Sequence, residues 1–231
     1  MNRGQMAACF ISLAAFCHRA EAATITVTTT DDSGVGSLRE AISNANATVV
    51  QDSISFNISG TGPFTITPAT ALPTITNSVV IDGYTQPGAS QNTLTNGDNA
   101  VIEIVLTGTF GFLSLDTSNS TVRGLSINTI TTSAAPSPKG GHIIQGNFIG
   151  VDPSGTNSLG ATGGGVGVNC PNLQIGGTTP ASRNLISGHG TTGIEMAGDF
   201  AKGTVIQGNY IGTDKTGIFV QAYMMLQYAY D

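Results

Sequence analysis

An internal repeat constrains the fold of this chain more than any other feature. Residues 144–150 (IQGNFIG) recur as residues 206–212 (IQGNYIG), and the match extends from 152–155 (DPSG) to 214–217 (DKTG). Self-similarity at a fixed spacing is typical of solenoids, in which similar units stack and bury a shared core. The spacing of 62 residues (from 144 to 206) is too long for one coil, and a third of it, ~21 residues, lies within the range of solenoid units, so we predict three coils in each copy of this repeat.

The composition favours strands over helices. Charged residues make up only 10 % of the chain, and 31 of its 231 residues are glycine. Long helices need Ala, Leu, Glu, Lys and Arg on their exposed faces, whereas β-branched residues separated by Gly and Asn favour short strands and tight turns. We therefore predict an all-β parallel β-helix with aliphatic columns inside.

Three asparagines precede strands of the same kind, namely Asn147, Asn184 and Asn209. Stacked asparagines hydrogen-bond from amide to amide along a β stack, so we predict a structural ladder. A row that binds sugar or metal is the alternative. Gly146 and Gly208 stand directly before two of these asparagines, and we assign both glycines to the corners between strands.

The acidic residues of the repeat begin turns. Asp152 opens DPSG and Asp214 opens DKTG, and both segments have the residue preferences of type I turns. A Ca²⁺ site at Asp152 and Asp214 is the alternative. Since Ca²⁺ takes six to eight oxygen ligands and each loop offers one carboxylate, we prefer the turn and predict no cofactor.

The segment 1–22 has the features of a secretory signal peptide. Arg3 is followed by an apolar run at 6–16 and by the small-x-small sequence Ala20-Glu21-Ala22. We expect cleavage before Ala23 and export from the cell. The apolar run is shorter than the ~20 residues that cross a bilayer, so the mature chain has no predicted membrane span.

Three further segments follow the signal. Residues 23–60 form a predicted N-terminal cap, in which Ser37 and Glu40 have capping-box spacing at the start of a short helix. Residues 61–219 are the predicted β-helix coils. Residues 220–231 break the repeat pattern, and we interpret them as a truncated or frame-shifted tail, with a capping helix as the alternative.

Several motifs together resemble one protein family. They are residues 31–42 (DDSGVGSLREAI), 81–89 (IDGYTQPGA), 183–188 (RNLISG) and both copies of IQGN[FY]IG. Across residues 24–219 the chain resembles bacterial exported proteins with an N-terminal CSLREA-type domain, although Gly36 stands where that name has Cys. The resemblance implies a right-handed parallel β-helix in adhesin-like proteins related to polymorphic outer-membrane protein repeats. It also implies that the exported chain is secreted or lies at the bacterial cell surface or outer membrane. It implies no catalytic residues.

Charge and motifs rank the possible functions. The formal net charge is −6, and the eight Lys and Arg residues are scattered, so the sequence shows no nucleic-acid footprint. Polysaccharide-degrading enzymes of the pectin lyase-like or polygalacturonase-like type share the β-helix, and residues 188–190 (GHG) resemble a polygalacturonase motif. This makes His189 a candidate catalytic residue. The paired acidic motifs are missing, however, and Asp31-Asp32 falls in the cap.

We therefore rank a non-catalytic structural stalk or adhesin-like module first, a glycan-binding module second and an enzyme third. The expected partners are an extracellular glycan or a surface protein, and an exposed final coil would permit end-to-end self-association. An acidic groove on one face would favour the enzyme. Aligned polar rows without clustered carboxylates would favour the other two functions.

Overall fold

A computed structural model describes residues 21–133, 139–219 and 226–229 of the chain. The predicted signal peptide therefore lies outside the described residues except for its last two positions. The described part consists mostly of short strands. It also contains one α-helix, α1 (Leu38–Asn46), and short 3₁₀ helices at Gly83–Thr85, Pro180–Ser182 and Gly198–Ala201.

The strands form three sheets, and all pairings between named strands are parallel. The first sheet contains, in spatial order, β1 (Thr24–Val27), β2 (Asp52–Phe56), β4 (Val79–Asp82), β7 (Thr121–Arg123), β10 (Ile143–Gln145), β13 (Gln174–Gly176) and β16 (Val205–Gln207). The second sheet contains β3 (Phe64–Ile66), β5 (Ile104–Leu106), β8 (Leu125–Ile127), β11 (Phe148–Ile149), β14 (Leu185–Ile186) and β17 (Tyr210–Ile211). The third sheet contains β6 (Phe112–Leu115), β9 (Thr129–Thr132), β12 (Val166–Val168), β15 (Ile194–Ala197) and β18 (Leu226–Ala229).

From β4 onward the chain visits the first, second and third sheets in turn and then returns to the first. One such passage is called a coil below, and the arrangement is consistent with a parallel β-solenoid. Side chains alternate between the two faces of a strand, so alternate residues of a strand enter the core. In the first sheet one column of core residues is in register and fully buried: Ile54, Ile81, Val122, Ile144 and Ile175.

The sequence repeat contains two coils, so the prediction of three was wrong. Ile144 pairs with Ile175, and Ile175 pairs with Ile206, so one intermediate strand divides the repeat into two coils of equal length. The coils look dissimilar in sequence because their long loops lie in different places. The first coil has its long loop between β11 and β12, whereas the second has an extra loop between β13 and β14.

Helix α1 lies between β1 and β2 in the chain and packs against both strands. Ser37 is its N-cap, and the face formed by Leu38, Ala41, Ile42 and Ala45 is buried. Glu40 accepts a hydrogen bond from the backbone N–H of Gly36 (2.7 Å). In a standard capping box the partner would be the N–H of Ser37, so the reciprocal bond is displaced by one residue. The Ser37 N–H donates to the Gly34 carbonyl instead.

The cap is continuous with the coils. Strands β1 and β2 belong to the first sheet, so the expected boundary at residue 60 corresponds to no break in that sheet. Arg39 also joins the two regions: its guanidinium pairs with Asp32 (2.6 Å) and donates to the carbonyls of Thr70 (2.9 Å) and Ala71 (2.7 Å).

The described part of the tail is a strand. Residues 226–229 form β18, which pairs with β15 and extends the third sheet. The alternative of a capping helix is therefore wrong for this segment. The other positions of the predicted tail lie outside the described residues.

One long connection, residues 86–103 between β4 and β5, is called the arm below. It makes its coil the longest of those described, since the coil runs from Val80 in β4 to its partner Thr121 in β7. The arm covers part of the outer side of the second sheet, where Ile102 is buried in a small cluster with Phe148 and Leu185. The second sheet thus has apolar side chains on both faces there, and the arm shields the outer ones from water.

Candidate functional site

The three predicted asparagines stack and bond to one another. Asn184 Oδ1 accepts hydrogen bonds from the backbone N–H (3.0 Å) and the side-chain Nδ2 (3.2 Å) of Asn147. Asn209 Oδ1 accepts from the same two groups of Asn184, at 3.2 and 2.9 Å. Asn147 and Asn184 are fully buried. Their amides bond to protein groups in the stack, so these two side chains offer no surface to a sugar or metal ion.

Gly146 and Gly208 lie at the corner between the first and second sheets. Both have backbone φ angles in the left-handed region, +64° and +69°, which favours glycine. A Cβ atom on Gly146 would stand 2.8 Å from the Ala181 carbonyl oxygen, and one on Gly208 would collide with the Gly177 carbonyl oxygen. Both positions therefore shape the backbone and carry no chemistry.

The acidic turns bond internally. The Gly155 N–H donates to the Asp152 carbonyl (2.8 Å), and the Gly217 N–H donates to the Asp214 carbonyl (3.0 Å). Burial raises the pKa of Asp152, but hydrogen bonds from Ser154 and from residues 156–157 outweigh burial and lower this pKa overall. The hydrogen bond from the Thr216 hydroxyl is the main cause that lowers the pKa of Asp214.

These bonds leave the carboxylates engaged within their own loops. The two turns stack through the Lys215 N–H, which donates to the Gly155 carbonyl (3.2 Å). In the described ranges, no group of three or more His, Cys, Asp or Glu side chains is placed to hold a metal ion.

His189 lies at the corner between the second and third sheets and is only 3 % exposed. Its Nε2 is 3.0 Å from the Asn128 carbonyl oxygen, two coils away. A Cβ atom on Gly150 would collide with the imidazole, and one on Gly165 would stand 2.7 Å from its Cε1, so the ring fills a slot between two glycines. Burial lowers the pKa of His189, and the contact with Asn128 only partly opposes this effect. The ring is therefore neutral near pH 7.

An open groove of about 690 Å³ lies beside His189, and its lining residues are Val151, Gly155, Thr156, Ser158, Gly160, Ala161, Thr162, Ser187, Gly188, His189, Gly190 and Thr213. None of these residues is acidic, and none is Lys or Arg. Asp32 of the sequence doublet lies elsewhere, since it pairs with Arg39 in the cap. Because the lining contains no Asp or Glu, the groove places no carboxylate beside His189.

A second cavity of about 420 Å³ adjoins the groove. Both share Gly160, Ala161 and Thr162 in their linings. The lining of the second cavity also includes Phe112, Asn128 and Thr129.

A row of polar side chains runs along the outer face of the first sheet and is called the polar column below. The strand pairings place its members in register: Thr26, Ser55, Asp82, Arg123 and Gln145, followed by Gln207 beyond the buried Gly176, which has no side chain. Asp82, the only carboxylate in the column, pairs with Arg123 at 2.7 Å. The hydroxyls of Thr26 and Ser55 are 3.1 Å apart.

The contacts that hold the arm were not predicted from the sequence. Arg183 donates to the carbonyls of Leu94 (3.0 Å), Thr95 (2.8 Å) and Gly97 (2.5 Å), and its guanidinium lies 4.4 Å above the Tyr210 ring. The Tyr210 hydroxyl accepts from the Gly97 N–H (2.7 Å). One signal was present: the repeat changes Phe148 to Tyr210, and the added hydroxyl makes this bond.

No family model, curated protein or solved structure matches this chain. The resemblance drawn from the motifs therefore stays a prediction. Within the part of the chain that the structure describes, no helix is long and apolar enough to cross a membrane.

Proposed function

We propose that this chain is an exported, right-handed parallel β-helix module that acts as a structural stalk or adhesin-like surface without catalysis. The observation that carries this proposal is the polar column. From Thr26 to Gln145 it presents one polar side chain per strand at the ~4.8 Å spacing of stacked strands, and Gly176 interrupts the row before Gln207. Its single carboxylate is paired with an arginine, so the face is suited to holding a partner or a neighbouring domain rather than to acid–base chemistry.

The handedness preference of parallel strand connections supports right-handed coils. Parallel strands joined by a crossover connection are right-handed in about 98 % of cases within one sheet, because the strands themselves twist to the right. The motif resemblance points to the same hand. Export is supported by the basic, apolar and small-residue segments before Ala23.

The surroundings of His189 argue against catalysis in the groove. An inverting glycosidase needs two carboxyl groups ~6.5–9.5 Å apart, one to protonate the leaving oxygen and one to activate water. The groove lining contains no carboxylate, and the His189 ring is buried between Gly150 and Gly165. We therefore assign the neutral His189 imidazole, which contacts the Asn128 carbonyl, a structural role in packing these coils.

The test is an incubation of the exported full-length product with a panel of neutral and acidic polysaccharides. We expect a mature N-terminus at Ala23 by mass spectrometry, and no release of reducing or unsaturated ends. Release of either product above the level of a His189→Ala control would refute the non-catalytic proposal. A signal that survives this substitution would indicate an enzyme with its site elsewhere, which refutes the proposal equally.

A glycan-binding module is the second candidate function, and the two adjoining cavities are the observation that favours it. They are concave and lined by hydroxyl-bearing residues and glycines. Sugar sites combine such hydrogen-bonding groups with an apolar surface.

End-to-end self-association stays a prediction for the last coil, where β16 and β17 are edge strands of the described sheets. Size-exclusion chromatography with light scattering tests it, and a monomer at high protein concentration would contradict it.

A further inference from the structure

The two cavities beside His189 adjoin across residues 160–162 and together exceed the size of a single sugar ring. Their volumes are about 690 and 420 Å³, in the range of pockets that hold ligands of several rings. The shared segment is held to the next coil by a hydrogen bond from the Gly190 N–H to the Ala161 carbonyl (3.0 Å). A ligand that occupies both cavities would therefore contact one anchored backbone segment in its middle.

The lining selects for an uncharged ligand. Neither cavity is lined by Asp, Glu, Lys or Arg. An acidic glycan would find no cationic partner there, and the chain as a whole carries a formal charge of −6. Desolvating a charge without a partner is costly, so acidic sugars are disfavoured.

Each cavity contributes a different recognition element. In the first, the exposed residues Thr156, Ser158 and Thr162 carry hydroxyl groups and line the groove. A ligand can bond to such accessible hydroxyls directly or through a bridging water. In the second, the half-buried ring of Phe112 offers an apolar surface against which a sugar ring can pack.

From these features we infer that the two cavities form one binding site for an extended neutral oligosaccharide, with one sugar against Phe112 and another beside Ser158. This inference rests on the glycan-binding candidate and deepens it: it assigns a site and a class of ligand. The polar column plays no part in it.

The experiment is calorimetric titration of the full-length chain with neutral hexasaccharides of different linkages and with hexagalacturonate. Thr162 is exposed and lines both cavities, so Thr162→Trp fills the site. Its matched control is Thr191→Trp, at an exposed threonine that lines neither cavity. Phe112→Leu removes the aromatic ring, and Phe200→Leu, at an exposed phenylalanine, is its control.

We expect at least one neutral hexasaccharide to bind. Thr162→Trp should weaken it about tenfold or more, which is ~1.4 kcal/mol. Phe112→Leu should weaken it about fivefold. Both controls should bind as the unaltered chain does, and hexagalacturonate should bind less tightly than the best neutral ligand. Melting temperatures of all four variants establish that they fold.

Three results would overturn the inference: no binding of any neutral hexasaccharide at millimolar concentration, binding that Thr162→Trp leaves unchanged in a folded protein, or tighter binding of hexagalacturonate. These failures differ from failure of the proposed function. If no sugar binds, the proposal of a structural stalk still stands. If reducing or unsaturated ends are released, the non-catalytic role is refuted even when the two cavities do bind the sugar.

Discussion

The asparagine ladder makes a sharp prediction about stability, and Asn184→Leu tests it. Asn184 is the middle member of the ladder and is fully buried. Its Oδ1 is the acceptor for the Asn147 N–H, and its Nδ2 donates to the Ile144 carbonyl (2.8 Å). Leucine fills a similar volume. In the coil before Asn147 the matching position is already a leucine, Leu125, and its N–H donates to Asn147 Oδ1 (3.2 Å).

The expected cost follows from these bonds. Asn184→Leu leaves the buried Asn147 N–H without its acceptor, which costs about 2 kcal/mol, and removes the bond to Ile144, which contributes about 1 kcal/mol. The free energy of unfolding should therefore fall by about 3 kcal/mol. Asn209→Leu should cost less, because Asn209 is half-buried and lies next to the last described strand of the second sheet.

Urea unfolding, followed by circular dichroism at a fixed temperature, measures both differences. Asn184→Ala should cost at least as much as Asn184→Leu, since it adds a cavity to the lost bonds. If Asn184→Leu unfolds within about 0.5 kcal/mol of the unaltered chain, which is the scatter of neutral surface changes, the ladder contributes shape alone. Such a result would refute the stabilising role of the ladder's hydrogen bonds.

Three further predictions concern pH, the cap and the arm. Burial lowers the pKa of His142 from 6.5 to about 4, so the folded state favours the neutral ring. The free energy of unfolding is then fully retained above pH 6.5 and falls as pH drops towards 4. The free energy of unfolding should fall by about 2 kcal/mol between about pH 7 and pH 5. Urea unfolding at both pH values measures this loss, and the loss should be smaller in His142→Gln. Ser37→Ala removes the N-cap of α1 and should cost about 1 kcal/mol, seen as a lower melting temperature, whereas an unchanged one would contradict the capping role. Arg183→Lys loses the fork that contacts three carbonyls, and Tyr210→Phe loses the acceptor for Gly97. Both should speed hydrogen exchange at residues 94–98, and equal rates would show that other contacts hold the arm.

Several features of the fold were accessible from the sequence because they depend on local chemistry. The helix at Ser37 follows from capping preference and an apolar face, and the stacked strands follow from short β-branched segments beside glycine corners. The third position of the IQGN motif needs glycine because its backbone is left-handed, as at Gly146. Each of these signals is local in the sequence.

The number of coils per repeat was not accessible, because it depends on which strands pair across long loops. The pairs Ile144–Ile175 and Ile206–Ile175 join segments with different flanking sequences. The contact between Arg183 and Gly97 of the arm joins positions far apart in the chain and follows no period. The two cavities were missed for the same reason, since they are enclosed by loops from several coils that share no motif.

The arm also has a consequence for the order in which the chain reaches its final structure. A solenoid in which each coil contacts only its neighbours can form progressively from its first coil. The arm leaves the stack at β4, but Tyr210 and Lys215, which receive the N–H groups of Gly97 and Asp98, come much later in the chain. During synthesis these two hydrogen bonds can therefore form only after the last strands emerge. Their formation is a late folding event that links the coil of β4 directly to the last described coil.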